Sequence, residues 1–180
     1  MNPMPPVKKL VLTALCAALC LVLPMAFHAI PNAGSVMLPM HIPVLLCGLV
    51  CGWPYGLVCG ILGPLLSGVL TGMPPVAMMP SMMVECGVYG LVSGLMMRYV
   101  RTGKPVADLY ISMVTAMILG RVVAGFAKAL IFTPGAAPFA WVTTSLVTGI
   151  PGICLQLVLM PGLVYALTRA RLIPARYPKV

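Results

Sequence analysis

The sequence predicts an all-α integral membrane protein, a bundle of six transmembrane helices with both termini in the cytoplasm. Three observations carry that prediction. Hydrophobic residues fill 61% of the 180 positions and charged residues only 7%, whereas a soluble domain is about a quarter charged. A water-facing surface cannot be built from so few charges, so most of the outside must face lipid. The apolar stretches approach the roughly 20 residues a helix needs to cross a bilayer. The basic residues stand between those stretches rather than along one face.

The first span runs from about Leu10 to Phe27, behind Lys8 and Lys9, with Pro24 near its end. Its start is like that of a signal peptide, but no small-x-small cleavage site follows, and it reads as a retained helix. A loop with Pro31, Asn32, Gly34 and Ser35 leads to the second span, His41 to Trp53, short and loosened by Gly48 and Gly52. The turn Trp53-Pro54-Tyr55-Gly56 opens the third, which ends near Thr71 and is expected to kink at Pro64. Gly72, Pro74 and Pro75 precede the fourth, Pro80 to Tyr99. The fifth covers Leu109 to Phe132, and Thr133-Pro134-Gly135 leads towards the sixth, Val142 to Thr168. The six spans consume nearly the whole chain, so residues 1–180 form one transmembrane domain without a soluble catalytic part.

Charge sets the topology. The net charge of +9 comes from clusters at Lys8 and Lys9, at Arg98, Arg101 and Lys104, and at Arg169, Arg171, Arg176 and Lys179. They alternate with connections that carry no Lys or Arg, the positive-inside pattern. A nucleic-acid binder would carry one continuous basic face, so no nucleic-acid partner is expected. The only acidic residues are Glu85 and Asp108, too few for paired-carboxylate catalysis or an aspartate-rich metal site. The one Gly-Lys pair, Gly103-Lys104, runs into Pro105 and makes no phosphate loop. All seven cysteines fall inside the spans. Their odd number and the lack of CxxC argue against a zinc or disulfide framework, and lipid-embedded Cys is ordinarily a small packing residue. No enzyme, metal or cofactor is expected.

Ionisable groups inside a membrane are costly and mark function by default. Glu85, Arg121 and Lys128 are the three. Glu85 and Lys128 lie at similar depth in the outer half, and Arg121 is seven residues before Lys128, on the same face and two turns deeper. Tyr89 stands one turn from Glu85, and Ser145, Gly149, Gly152 and Gln156 share a face of the sixth span. As a pocket open to the outside, this set has a formal charge of +1 and favours a carboxylate or phosphate on the ligand. Alternatively, Glu85 and Arg121 form a pair that only fixes helix packing. His28 and His41 fall at helix ends, where capping or interface roles are expected. Met78, Met79, Met82 and Met83 read as apolar gap-fillers. Ala14 and Ala18 have the small-xxx-small spacing that allows close helix approach.

The chain resembles the substrate-binding S components of energy-coupling factor (ECF) vitamin transporters. The resemblance rests on Lys8-Lys9-Leu10-Val11-Leu12-Thr13-Ala14-Leu15-Cys16-Ala17-Ala18, and on Met40-His41-Ile42-Pro43 running through Gly52-Trp53-Pro54-Tyr55-Gly56. Gly63-Pro64-Leu65-Leu66, Leu70-Thr71-Gly72-Met73-Pro74, Glu85, Tyr89-Gly90-Leu91-Val92-Ser93-Gly94 and Gly120-Arg121 continue it in order. It implies a subunit of the prokaryotic plasma membrane that binds a vitamin or related micronutrient from outside. Such a subunit docks on a transmembrane coupling protein carrying two ATPases, through Ala14 and Ala18. It also implies a site built from helices four to six and the outer loops, here Asn32, Glu85, Tyr89, Arg121, Lys128, Trp141 and Gln156. The start Met1-Asn2-Pro3 departs from the metal-binding branch, and the site is not tryptophan-rich as in a thiamine type. Pantothenate, riboflavin and pyridoxine-like compounds remain open, with the cationic pocket leaning towards an anion. A self-contained small transporter or channel is the alternative reading.

Overall fold

A computed structural model describes residues 4–26, 36–132 and 137–176. Among the described residues are seven α-helices, one π-helical turn and no strand. The helices are α1 (Pro6–Ala26), α2 (His41–Cys51), α3 (Trp53–Thr71), α4 (Met79–Tyr99), α5 (Pro105–Ala127), α6 (Pro138–Thr148) and α7 (Ile150–Arg169). The π-helical turn, Lys128–Phe132, continues α5.

Proline sets where most of these helices begin. Pro54, Pro80, Pro105, Pro138 and Pro151 stand in the first two positions of α3 to α7, where a missing N–H leaves nothing unsatisfied and the ring presets φ. Gly52, at φ +97°, makes the sharp turn from α2 into α3. Gly72, at φ +72°, ends α3 in the left-handed conformation and donates its N–H to the Gly68 carbonyl.

Four helices among the described residues are long and apolar enough to cross a membrane: α1, α3, α5 with its π turn, and α7. With α4, which is 21 residues long but carries Glu85, Arg98 and two serines, they make up the long elements of a multi-pass helical membrane protein. Two expected spans differ. The second is a helix of only 11 residues. The sixth is not one helix but two, α6 and α7, divided at Gly149. Pro151 accounts for the break, because its nitrogen cannot donate to Val147 and its ring crowds that carbonyl. Pro64, by contrast, lies inside an uninterrupted α3.

The short α2 is the centre of the molecule. Nine of its 11 residues are buried, and it packs against α1, α3 and α4. Glycines allow this. A Cβ on Gly56 would come within 2.6 Å of the Gly48 Cα, and one on Gly90 or Gly94 would meet backbone atoms of α3 or of the turn before it. Backbones therefore touch where α2, α3 and α4 meet, the small-residue packing that lipid-embedded helices use in place of a hydrophobic driving force. Cys16, Cys20, Cys47, Cys51, Cys59 and Cys86 are buried around the same junction, and Cys154 is exposed. Further out, α5 packs on α4, α6 on α5, and α7 touches α2, α5 and α6 more lightly.

Two features lie at the rim. On α1, Thr13, Cys16 and Cys20 face inward, while Val7, Leu10, Val11, Ala14, Leu15, Ala18 and Val22 form an exposed apolar face. At the opposite side of the α4–α5 loop, buried Asp108 accepts hydrogen bonds from the Thr102 N–H (2.8 Å) and hydroxyl (2.6 Å) and pairs with Arg176 at 2.5 Å. Arg176 also donates to the carbonyls of Met97 and Val100. The end of the chain after α7 is thereby tied to the loop after α4.

Candidate functional site

Four helices place polar side chains in one buried cluster, and a fifth adds a backbone carbonyl. Glu85 and Tyr89, a turn apart on α4, face inward because the opposite side of that helix is apolar. Arg121 reaches them from α5. Its Nε donates to the Tyr89 hydroxyl at 3.2 Å and stands 4.0 Å from Glu85 Oε1. One terminal nitrogen donates to the Ser145 carbonyl of α6. Gly149 packs so closely on the guanidinium that a Cβ there would lie 2.7 Å from its other terminal nitrogen. Gly120 serves Tyr89 likewise, since any Cβ at that position would strike its ring.

His41, at the start of α2, completes the cluster. Its Nε2 lies 3.4 Å from Glu85 Oε1, within ion-pair reach but without the alignment of a hydrogen bond. Its ring meets that of Tyr89 edge to face, with centroids 4.9 Å apart. Beside it, Gln156 of α7 donates to the Leu38 carbonyl at 3.4 Å. That carbonyl also accepts the backbone N–H of His41. Leu38 itself has φ +51°, a conformation unusual for a non-glycine residue and one that persists only where surroundings impose it.

The cluster is sealed. Arg121 is 2% exposed and Glu85 7%. Even so, a second terminal nitrogen of Arg121, the Gln156 amide oxygen and His41 Nδ1 are buried with no hydrogen-bond partner among the described residues. Each such group costs about 1–3 kcal/mol, so three together in one cluster call for an explanation beyond packing. Arg121 presents a donor, Gln156 an acceptor and His41 a ring nitrogen, a set suited to a polar organic molecule with an anionic end. No group of three or more His, Cys, Asp or Glu placed to hold a metal occurs among the described residues.

Four of the expected site residues are brought together: Glu85, Tyr89 and Arg121 in direct contact, and Gln156 through the Leu38 carbonyl. Lys128 and Trp141 meet each other instead. The Lys128 ammonium lies 5.4 Å over the Trp141 ring, at the π-helical turn, and makes no ion pair with Glu85 among the described residues. An ammonium only half-buried lowers its energy over an indole face without moving inward. Asn32 and His28 lie outside the described residues. His41 is a correction. It is 1% exposed and stands 3.4 Å from Glu85, rather than at an interface or as a cap. Its signal was its position ahead of an apolar run too short to span. The Ser145 and Leu38 carbonyls had no signal, being backbone. A cavity of about 640 Å³ opens at the other end of the bundle and includes none of these residues.

Fold and cluster together define a multi-pass helical membrane protein with a polar site enclosed between its helices. The chain belongs to the family described as ECF transporter, substrate-specific component, whose model matches residues 8–164. It is accordingly a transporter subunit rather than an enzyme, one that works with ECF coupling and ATPase components on a small-molecule substrate. No curated protein and no solved structure matches the chain.

Proposed function

We propose that the protein captures a water-soluble vitamin or related micronutrient at the outer face of a prokaryotic cell membrane, for ATP-driven uptake through a coupling protein and two ATPases. The observation that carries this reading is the Arg121 cluster, with its three buried, unpartnered polar groups on α2, α5 and α7. Arg121 and the nearby Lys128 favour a substrate with a carboxylate or phosphate, which among pantothenate, riboflavin and pyridoxine-like compounds favours pantothenate. Glu85, Tyr89, Arg121 and Gln156 form the inner contacts, Lys128 and Trp141 belong to the outer rim, and Asn32 is a further candidate contact with the substrate. The chain acts as a single domain. It crosses the membrane six times, with α6 and α7 together making the last crossing, and both termini are cytoplasmic.

The exposed apolar face of α1 containing Ala14 and Ala18 supports docking on the coupling protein, because small side chains there leave room for another helix. The deciding experiment is to purify the protein and identify co-purifying small molecules by mass spectrometry. A vitamin-class compound retained by the protein and lost from Arg121→Met is the expected outcome. A protein that retains none and binds none of the three candidates in titration calorimetry would end the proposal.

A further inference from the structure

The cavity of about 640 Å³ lies between the start of α1, the α2–α3 turn at Gly52 and the end of α4. Its size is in the range of small-ligand pockets, about 300–1,000 Å³. Lys9, Arg98, Arg101 and Arg176 stand on its wall, and no acidic side chain does. Trp53 and Tyr55 supply aromatic surface, and Lys9 Nζ lies 5.7 Å over the Tyr55 ring.

The charge on this wall cannot be balanced by acidic side chains of the chain itself. There are only two. Glu85 is occupied by His41 and Arg121 in the other cluster, and Asp108 is paired with Arg176. With Arg176 offset, Lys9, Arg98 and Arg101 leave the cavity at +3. A like-signed group of this density, in a recess edged by low-dielectric protein, concentrates its field on whatever anion enters. The apolar rim of Trp53 and its neighbours makes the recess amphipathic. Its place at the basic ends of α1 and α4 is where apolar spans give way to charge.

We propose that this cavity binds a phosphate-bearing anion, seated there as the headgroup of an anionic phospholipid. Basic recesses between transmembrane helices hold such headgroups, each Lys or Arg near the surface adding to the attraction. The cations grip the phosphate, and Trp53 lies against the upper acyl chain and glycerol. The site is separate from the Arg121 cluster, and its occupancy does not depend on what the transporter carries.

Trp53 supplies its own reporter, since the chain has two tryptophans and Trp141→Phe leaves it alone. The full-length Trp141→Phe protein is reconstituted in phosphatidylcholine vesicles holding a minor fraction of lipid with brominated chains. The brominated lipid is either phosphatidylglycerol or phosphatidylcholine. Bromine quenches nearby indole, so selective binding is read as the ratio of the two quenching levels. The expected ratio is at least about twofold, falling to parity in Lys9→Gln/Arg98→Gln/Arg101→Gln. Arg98 and Arg101 are exposed, so Arg98→Gln/Arg101→Gln keeps the fold, with circular dichroism as the check, and is expected to lose most of the excess. Inorganic phosphate is titrated in parallel. A saturable change in Trp53 emission with phosphate, at a quenching ratio of one, would keep the phosphate site but overturn the lipid as its source. A ratio of one with no response to phosphate overturns the proposal altogether.

Discussion

Arg121 and Lys128 both stand within apolar stretches, but they are held very differently. Arg121 is enclosed among Glu85, Tyr89 and the Ser145 carbonyl. Lys128 lies half-buried over Trp141. Arg121→Met leaves a buried carboxylate with His41 alone. Breaking a buried pair costs about 3–5 kcal/mol, and the loose 4.0 Å separation places this one at the lower end. Thermal melting in detergent without ligand is expected to drop clearly. Lys128→Met leaves no orphaned charge, so the melting temperature should hold. Affinity for an anionic substrate should instead fall by about one to two decades, the loss of one charge-assisted hydrogen bond. Calorimetry and melting on both variants separate the roles, and unchanged affinity in Lys128→Met removes that residue from the site. Glu85 and Arg121 were legible in the sequence because a charge in an apolar run demands a partner. The place of His41 was not, because a residue ahead of an apolar run can face lipid headgroups or protein, and only packing decides.

Among the helices, the tightest constraint is the meeting of α2, α3 and α4 backbone to backbone. Overpacking costs about 1–3 kcal/mol even where side chains can shift, and backbone cannot yield as a side chain does. Gly56→Ala is therefore expected to lower thermal stability by at least that much. Gly162→Ala on α7 meets nothing within 4 Å and should raise stability by up to about 1 kcal/mol through helix propensity. Equal effects of the two substitutions would refute the close contact. The starts near Trp53 and Pro80 were read, but α5 and α6 begin at Pro105 and Pro138, four residues ahead of the expected Leu109 and Val142, because proline opens a helix while the apolar pattern marks only its interior. The glycine-rich character of α2 and α3 was plain in the sequence. The break at Gly149 was not anticipated. Gly149 and Pro151 interrupt a stretch whose hydropathy continues unbroken, and apolar character alone cannot separate one bent span from two helices.

For the molecule as a whole, the proposed docking face of α1 would separate capture of substrate from delivery. Replacing both Ala14 and Ala18 by Trp adds bulk only on the outside of the bundle. Uptake in cells should be abolished while substrate affinity of the isolated subunit stays nearly unchanged. Unchanged uptake would remove the docking role, and joint loss would indicate misfolding. Orientation is checked by reporter fusions at Gly103, expected inside, and Pro138, expected outside. The opposite result at both positions would sink the six-crossing arrangement. The overall class was legible because lipid exposure leaves its mark on composition. The mutual placement of α2, α5 and α7 was not, since residues as far apart as Leu38 and Gln156 meet only through the fold.

The shortness of α2 has an electrical consequence. Eleven residues rise about 16 Å, roughly half the thickness of the hydrocarbon layer. Starting from the Gly52 turn, α2 therefore stops well below the far end of α3, and the Cys20 thiol meets the Met40 carbonyl partway along α1. In the proposed six-crossing arrangement, Leu38 to Met40 would be irregular backbone at membrane depth, which is tolerated where it is enclosed by protein or lines a watery recess. A substrate bound at the proposed site beside it would have entered part of the transmembrane voltage. For a singly charged anion halfway across, 100 mV negative inside opposes binding by about 1 kcal/mol, roughly a sixfold loss of affinity. Binding measured in right-side-out vesicles with and without a potassium diffusion potential should show that dependence. Affinity indifferent to voltage would place the substrate's charge at the outer surface instead.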